Sequence, residues 1–176
     1  QLHQDAFAKG DFSVLYRGYL QGADAVSVIA KVALAPASNV WLEKEASTLI
    51  RFRDAKKGDE LSGVAKFVPE LLDTFLVENA KRQRFRVVVM RDLPDMVSIT
   101  DVIRAYPSGL DPRDASWIYR RVLAQTLAAS MAGVVHGAMV PDHVLVDPYT
   151  HNPLHIGWAH TVKDGRITHI VDRYRD

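Results

Sequence analysis

The stretch HGAMVPDHVLVDP, residues 136–148, has the frame of a loop built for acid–base chemistry. A His and a Gly lead to a Pro and an acidic residue, and a β-branched and leucine run follows that reads as a short buried strand. The positions where such a loop would carry its reactive groups hold Ala138, Met139 and Val140, which offer no side chain to take a proton or bind a metal. The histidines offer a second chemistry. Six of the seven, His136, His143, His151, His155, His160 and His169, fall within residues 136–176, with Asp142 and Asp147 among them. Imidazole and carboxylate groups are zinc ligands, and a site of that kind activates water for hydrolysis. No HExxH or similar pair sets two of them on one helical face, so a His-rich metal-binding hydrolase stands as an alternative reading only.

The elements that position these residues are legible in outline. Residues 12–34 are rich in β-branched and aromatic side chains and predict three short strands with turns at Gly18 and at 21–24, forming a small antiparallel sheet. Residues 39–52 predict a helix, with Trp41, Leu42, Ala46, Leu49 and Ile50 at helical spacing and Ser38 or Asn39 as its cap. KKGDELSG at 56–63 reads as a loop. FRVVVM at 85–90 is a buried strand, and Pro94 in the following DLPD blocks further ladder bonding. That connector divides the chain into 1–93 and 94–176. The longest helix is expected over 114–135, where Trp117, Ile118, Val122, Leu123, Leu127 and Met131 recur, and Gly133 ends it. No internal repeat appears, and the fold class is α+β.

This order of sheet, helix, strand, linker, long helix, loop and short strands resembles the protein kinase superfamily over nearly the whole chain. The family's glycine-rich turn, GxGxFGxVYxG, lies over AKGDFSVLYRG at 8–18, which keeps Gly10, Phe12, Tyr16 and Gly18 but has Ala8 and Ser13 at the other two glycines. VIAK at 28–31 is similar to the strand whose Lys holds the α and β phosphates, and EASTLIRF at 45–52 to the helix whose Glu pairs with that Lys. VVMRDLP at 88–94 resembles the segment between the lobes, with Met90 as gatekeeper and Arg91 to Leu93 as hinge beside an adenine-sized slot. The resemblance therefore implies a nucleotide-binding set of Gly10, Phe12, Ser13, Lys31, Glu45, Met90, Arg91 and Leu93.

The family's HRDLKPENILV lies over HGAMVPDHVLV at 136–146, so His136, Pro141, Leu145 and Val146 keep the frame. Ala138 replaces the Asp that takes the substrate proton, Val140 the Lys that steadies the phosphoryl group, and His143 the Asn that holds magnesium. LHIGWA at 154–159 resembles the DFG segment, with Gly157 in place of its metal-binding Asp. His136 is expected to pack and hydrogen-bond rather than catalyse. What the resemblance implies is a pseudokinase-like fold, with a small β-rich N-terminal lobe bearing one helix and a partial, mainly helical C-terminal lobe. Its expected function is a noncatalytic binding or regulatory module with a vestigial nucleotide cleft and no catalytic or metal residue. No cofactor is required, and ATP or another nucleotide would be held weakly and without magnesium. An atypical nucleotide-dependent transferase using Lys31, Glu45 and Asp142 or Asp147 is the alternative within the resemblance.

Composition limits the remaining classes. Lys and Arg number 22 against 21 Asp and Glu, so no global charge bias favours nucleic acid or an anionic membrane. There is no cysteine, which excludes thiolate catalysis and disulfides, and no apolar run is long enough to span a bilayer. The expected location is the cytoplasm. The chain runs only seventeen residues past Ala159, where the family continues through an activation segment and further helices. The expectation is a piece of a longer chain whose C-terminal face is covered by a protein partner, other domains or self-association.

Overall fold

Strong β propensity builds the first part of the chain, and a computed structural model describes its residues 1–22 and 25–163. Ala23 and Asp24 of the expected turn, His169, and the YRD at 174–176 lie outside the described residues. Two units divide the chain: Gln1–Ile50 with Glu70–Asp92, and Arg51–Pro69 with Leu93 onward. The sequence boundary at 93/94 thus lies one residue away, but residues 51–69, placed with the N-terminal lobe by contiguity, group with the second unit.

The first unit is a five-stranded antiparallel sheet with one helix. Its strands are β1 (Ala8–Lys9), β2 (Ser13–Leu20), β3 (Val26–Ala33), β4 (Leu71–Glu78) and β5 (Arg84–Arg91), in the order β1-β2-β3-β5-β4. The expected turn at Gly18 is corrected, because β2 runs straight through it. Gly18 is glycine for another reason: the N-terminal segment crosses it, Leu2 bridges to it, and a Cβ there would lie 2.3 Å from the Gln1 carbonyl oxygen. In β5, residues 87 to 90 are all buried, as a strand beside the sheet centre requires, and Val87 and Val89 pack with Val28 and Ala30 of β3. Helix α1 (Asn39–Arg53) buries Leu42, Glu45, Ala46 and Leu49, one helical face. Asn39 does not serve as a free cap. Its Nδ2 donates to the Arg84 carbonyl at 2.9 Å and its Oδ1 accepts from the Arg86 amide at 2.7 Å, tying the helix start to β5.

The second unit holds the α-helices α2 (Ile99–Ala105) and α3 (Pro112–Met131), short 3-10 turns and five short strands among the described residues. The strands are β6 (Val97–Ser98), β7 (Val134–Val135), β8 (Val144–Val146), β9 (Pro153–His155) and β10 (Val162–Lys163). β6, β8 and β9 form one antiparallel sheet, β7 and β10 another. Ser98 caps α2, accepting from the Asp101 amide, and Asp111 caps α3 with Pro112 at its first position. The face of α3 differs from the expected one. Ile118, Gln125 and Ala129 are buried, whereas Trp117, Leu123, Leu127 and Met131 are 48–70% exposed. The helix carries apolar residues around most of its circumference, so periodicity alone does not say which stripe is covered.

Candidate functional site

Lys31 reaches its position because side chains alternate along β3: Val28 and Ala30 enter the valine cluster of one sheet face, so Lys31 projects from the other. Glu45 arrives on the buried face of α1, between Leu42 and Leu49. The ammonium donates to both carboxylate oxygens, at 2.9 Å to Oε1 and 2.6 Å to Oε2. The Glu45 side chain is 1% exposed and that of Lys31 13%, so this is a desolvated pair rather than a surface charge ladder.

The segment expected to resemble a glycine-rich turn forms the hairpin between β1 and β2, closed by the Gly10 amide donating to the Ser13 carbonyl at 2.8 Å. A Cβ at Gly10 would meet nothing closer than 3.9 Å, so no local crowding demands glycine there. Phe12 stacks on Trp41 with ring centroids 4.5 Å apart, and Ser13 is buried at the start of β2. Met90 is buried in β5, and the Arg91 guanidinium pairs with Glu70. Leu93, in the second unit, accepts from the Met96 amide at 3.2 Å. Asp92, read in sequence only as part of the Arg91–Leu93 hinge, is a buried carboxylate that accepts from Ser27 Oγ at 3.0 Å and lies 3.5 Å from Arg17 Nε. Its signal was visible as an acidic residue directly after a buried strand.

In the second unit the 136–146 loop is tied down by its own backbone and imidazoles. His136 is buried, its Nε2–H donates to the Ile156 carbonyl at 2.8 Å, and its Nδ1 accepts from the Ala138 amide at 3.3 Å. Burial, reinforced by neighbouring His143, His155 and His160, pushes its pKa down to about 3. His143 Nδ1–H donates to the Ala138 carbonyl at 2.8 Å, and the His143 carbonyl accepts from the Ile156 amide at 2.9 Å. Ala138 is buried, while Met139 and Val140 line an apolar groove of about 380 Å3 with Val102, Ile103, Tyr106 and Val122. Ala138, Met139 and Val140 are therefore packing and groove-lining groups.

Gly157 has φ +78°, and a Cβ there would lie 2.8 Å from the His143 ring. Trp158 follows, fully buried, with its Nε1 donating to the His155 carbonyl at 2.8 Å and its ring 4.5 Å from that of His136. Asp142 accepts from Thr100 Oγ1 at 2.6 Å. Asp147 accepts from the Tyr149 and Thr150 amides at 2.8 Å each, which hold its carboxyl below the usual range, the Thr150 bond foremost. His151 Nδ1 lies 3.4 Å from Asp114. Among the described residues no group of three or more His, Asp or Glu side chains could hold a metal ion, so the geometry does not gather the histidines into the ligand set of the hydrolase reading. No helix of the described residues is long and apolar enough to cross a membrane.

The Gly157–His143 contact yields an expected result. Gly157→Asp alone destabilises the protein by about 2 kcal/mol, from the left-handed backbone and the clash with an imidazole that Ala138 holds in place. With His143→Asn present the ring is gone, and about 1 kcal/mol of that loss is recovered as coupling between the two sites. Urea denaturation of the two single variants and the double variant measures it. Strict additivity would mean that the two side chains do not share this space.

A scan of the sequence against protein-family models gives no match, and a search of curated proteins gives no relative.

Proposed function

We propose that this chain is a noncatalytic, pseudokinase-like binding or regulatory module. What supports the reading is the contrast between a frame that resembles the family's and side chains that carry none of its chemistry at the corresponding positions. Lys31 and Glu45 form the pair that would hold a phosphate-binding lysine in place, and the 136–146 loop is ordered by His136 and His143. Yet Ala138 offers no proton acceptor, Val140 no cation, and His143 and Gly157 no side-chain oxygen ligand for magnesium-dependent phosphoryl transfer. The groove lined by Met139 and Val140 gives the same loop a role in binding, since apolar grooves serve recognition better than charge transfer.

In this reading Lys31 still engages a nucleotide phosphate, weakly and without a metal bridge, and protein partners or other domains of a longer chain are what the module acts on. Thermal or denaturant melts with ATP test it. Nucleotide at one hundred times its dissociation constant adds about 2.7 kcal/mol to stability, and the gain is expected to be the same in magnesium and in EDTA. A gain that appears only with magnesium, or phosphate transfer to any acceptor, would favour the atypical transferase using Lys31, Glu45 and Asp142 or Asp147.

A further inference from the structure

We propose that the outer strand of the first unit pairs with a second copy of this chain, β4 against β4, antiparallel about a two-fold axis at Leu76. The two edges of the sheet are built differently. At one edge β1 is two residues long and ends in a lysine, which blunts it against pairing. At the other edge β4 runs for eight residues, LLDTFLVE, with no proline and no basic residue. Its one irregularity lies at Leu71/Asp73, so the strand from Asp73 to Glu78 is regular. On its outer side no strand lies beside it among the described residues, which leaves alternate amides and carbonyls as a template for another strand. Phe75, Leu76 and Val77 are 42, 45 and 40% exposed, so both faces of the strand carry uncovered apolar surface at its middle.

Symmetry and charge select the second copy and its register. Along an antiparallel pair, hydrogen-bonded and non-hydrogen-bonded residue pairs alternate. A two-fold axis makes the pairs on either side of it equivalent, so it passes only where a residue faces its own copy. With Leu76 on the axis, Phe75 faces Val77 of the second copy, and Thr74 faces Glu78, a hydroxyl against a carboxylate. An axis at Phe75 sets Val77 against Asp73, and one at Val77 sets Leu76 against Glu78, each an apolar side chain against a carboxylate. The ends of the strand complete the match. Asp73 lies at one end, and the turn after Glu78, closed by the Asn79 amide donating to the Gln83 carbonyl at 3.0 Å, carries the exposed Lys81 and Arg82. Antiparallel pairing brings the acid of each copy beside the basic turn of the other, whereas parallel pairing sets like charges together. The interface uses no residue of the nucleotide-binding set and stands apart from the pseudokinase reading.

Sedimentation equilibrium of the whole chain from about 5 to about 500 µM tests the proposal, and a reversible dimer with a dissociation constant on the order of 50 µM is expected from a single-strand contact. Leu76→Lys and Leu76→Glu each weaken it about tenfold or more, because each sets like charges face to face on the axis. Mixed together, the two variants form a heterodimer, lysine facing glutamate. Phe75→Lys sets an ammonium against Val77 of the other copy, weakens the dimer likewise, and keeps the test open if a Leu76 variant fails to fold. Val40→Lys, at an exposed apolar position on α1, leaves it unchanged. A wild type that stays monomeric throughout, or that grows past the dimer, overturns the proposal. A dimer indifferent to Leu76→Lys, or two folded Leu76 variants that do not associate when mixed, overturns it too.

Discussion

Lys31→Met lowers the unfolding free energy by about 3–5 kcal/mol, and changing Lys31 to Met together with Glu45 to Leu restores most of it. The reason lies in the burial of Glu45 on the apolar face of α1, where the Lys31 ammonium bridges both of its oxygens. Removing the lysine leaves a carboxylate desolvated and uncompensated, which costs far more than the pair contributes when whole. Replacing both by apolar groups of similar size removes the charge along with its partner. Denaturant melts of the wild type, the single variant and the double variant provide the measurement. Losses near zero in the single variant would mean that the pair behaves as an exposed one, worth under about 1 kcal/mol. The result also bears on any activity assay, because Lys31→Met reports loss of function only where the variant is shown to be folded.

Lowering the pH from 7 to 5 costs about 4 kcal/mol of stability through two histidines. Burial pushes the pKa of His136 down to about 3 and that of His155 to about 4. Their imidazoles titrate near 6.5 in the unfolded chain, so between these values the unfolded state binds more protons than the folded one. Stability is therefore full above about pH 6.5 and falls as pH decreases toward 4. Each histidine accounts for about 2 kcal/mol of the loss at pH 5. Glu70, held low by its hydrogen bond to Arg91, and Asp147 act in the same direction but only within the carboxylate range below. Urea melts at pH 7 and pH 5 check the figure. His155→Phe should halve the pH dependence, and an unchanged slope would show that His155 does not stay neutral on folding.

Local periodicity determined much of this molecule from sequence. The helix expected at 39–52 is α1, Asn39–Arg53, and the strand expected at 85–90 is β5, Arg84–Arg91, because a 3.6-residue or continuous apolar pattern needs no distant information. The short buried strand that ends the 136–148 stretch was legible for the same reason and is β8, Val144–Val146, whereas the frame given to His136–Val146 came from resemblance and not from periodicity. Other elements were not legible. β4 pairs with β5 along its length, yet LLDTFLVE has no clean alternation, and Phe75, Leu76 and Val77 are all exposed. Helix α2 has only seven residues, too few for a period to stand out.

Several features belong to the tertiary structure alone. Gly18 reads as a turn in sequence, but the N-terminal segment crossing over it is what requires its missing side chain. Gln125 is a polar residue on the same helical face as Ile118 and Ala129, and only the carbonyl of Pro153, 28 residues away, fixes which of its amide atoms is left unpaired. Lys31 and Glu45 were singled out in sequence by resemblance, while their burial, and hence the energetic weight of the pair, came from the packing of α1 beside β3. Sequence spacing records which residues share a face. Which face is covered, and which charges lose water, depends on contacts between residues far apart in the chain.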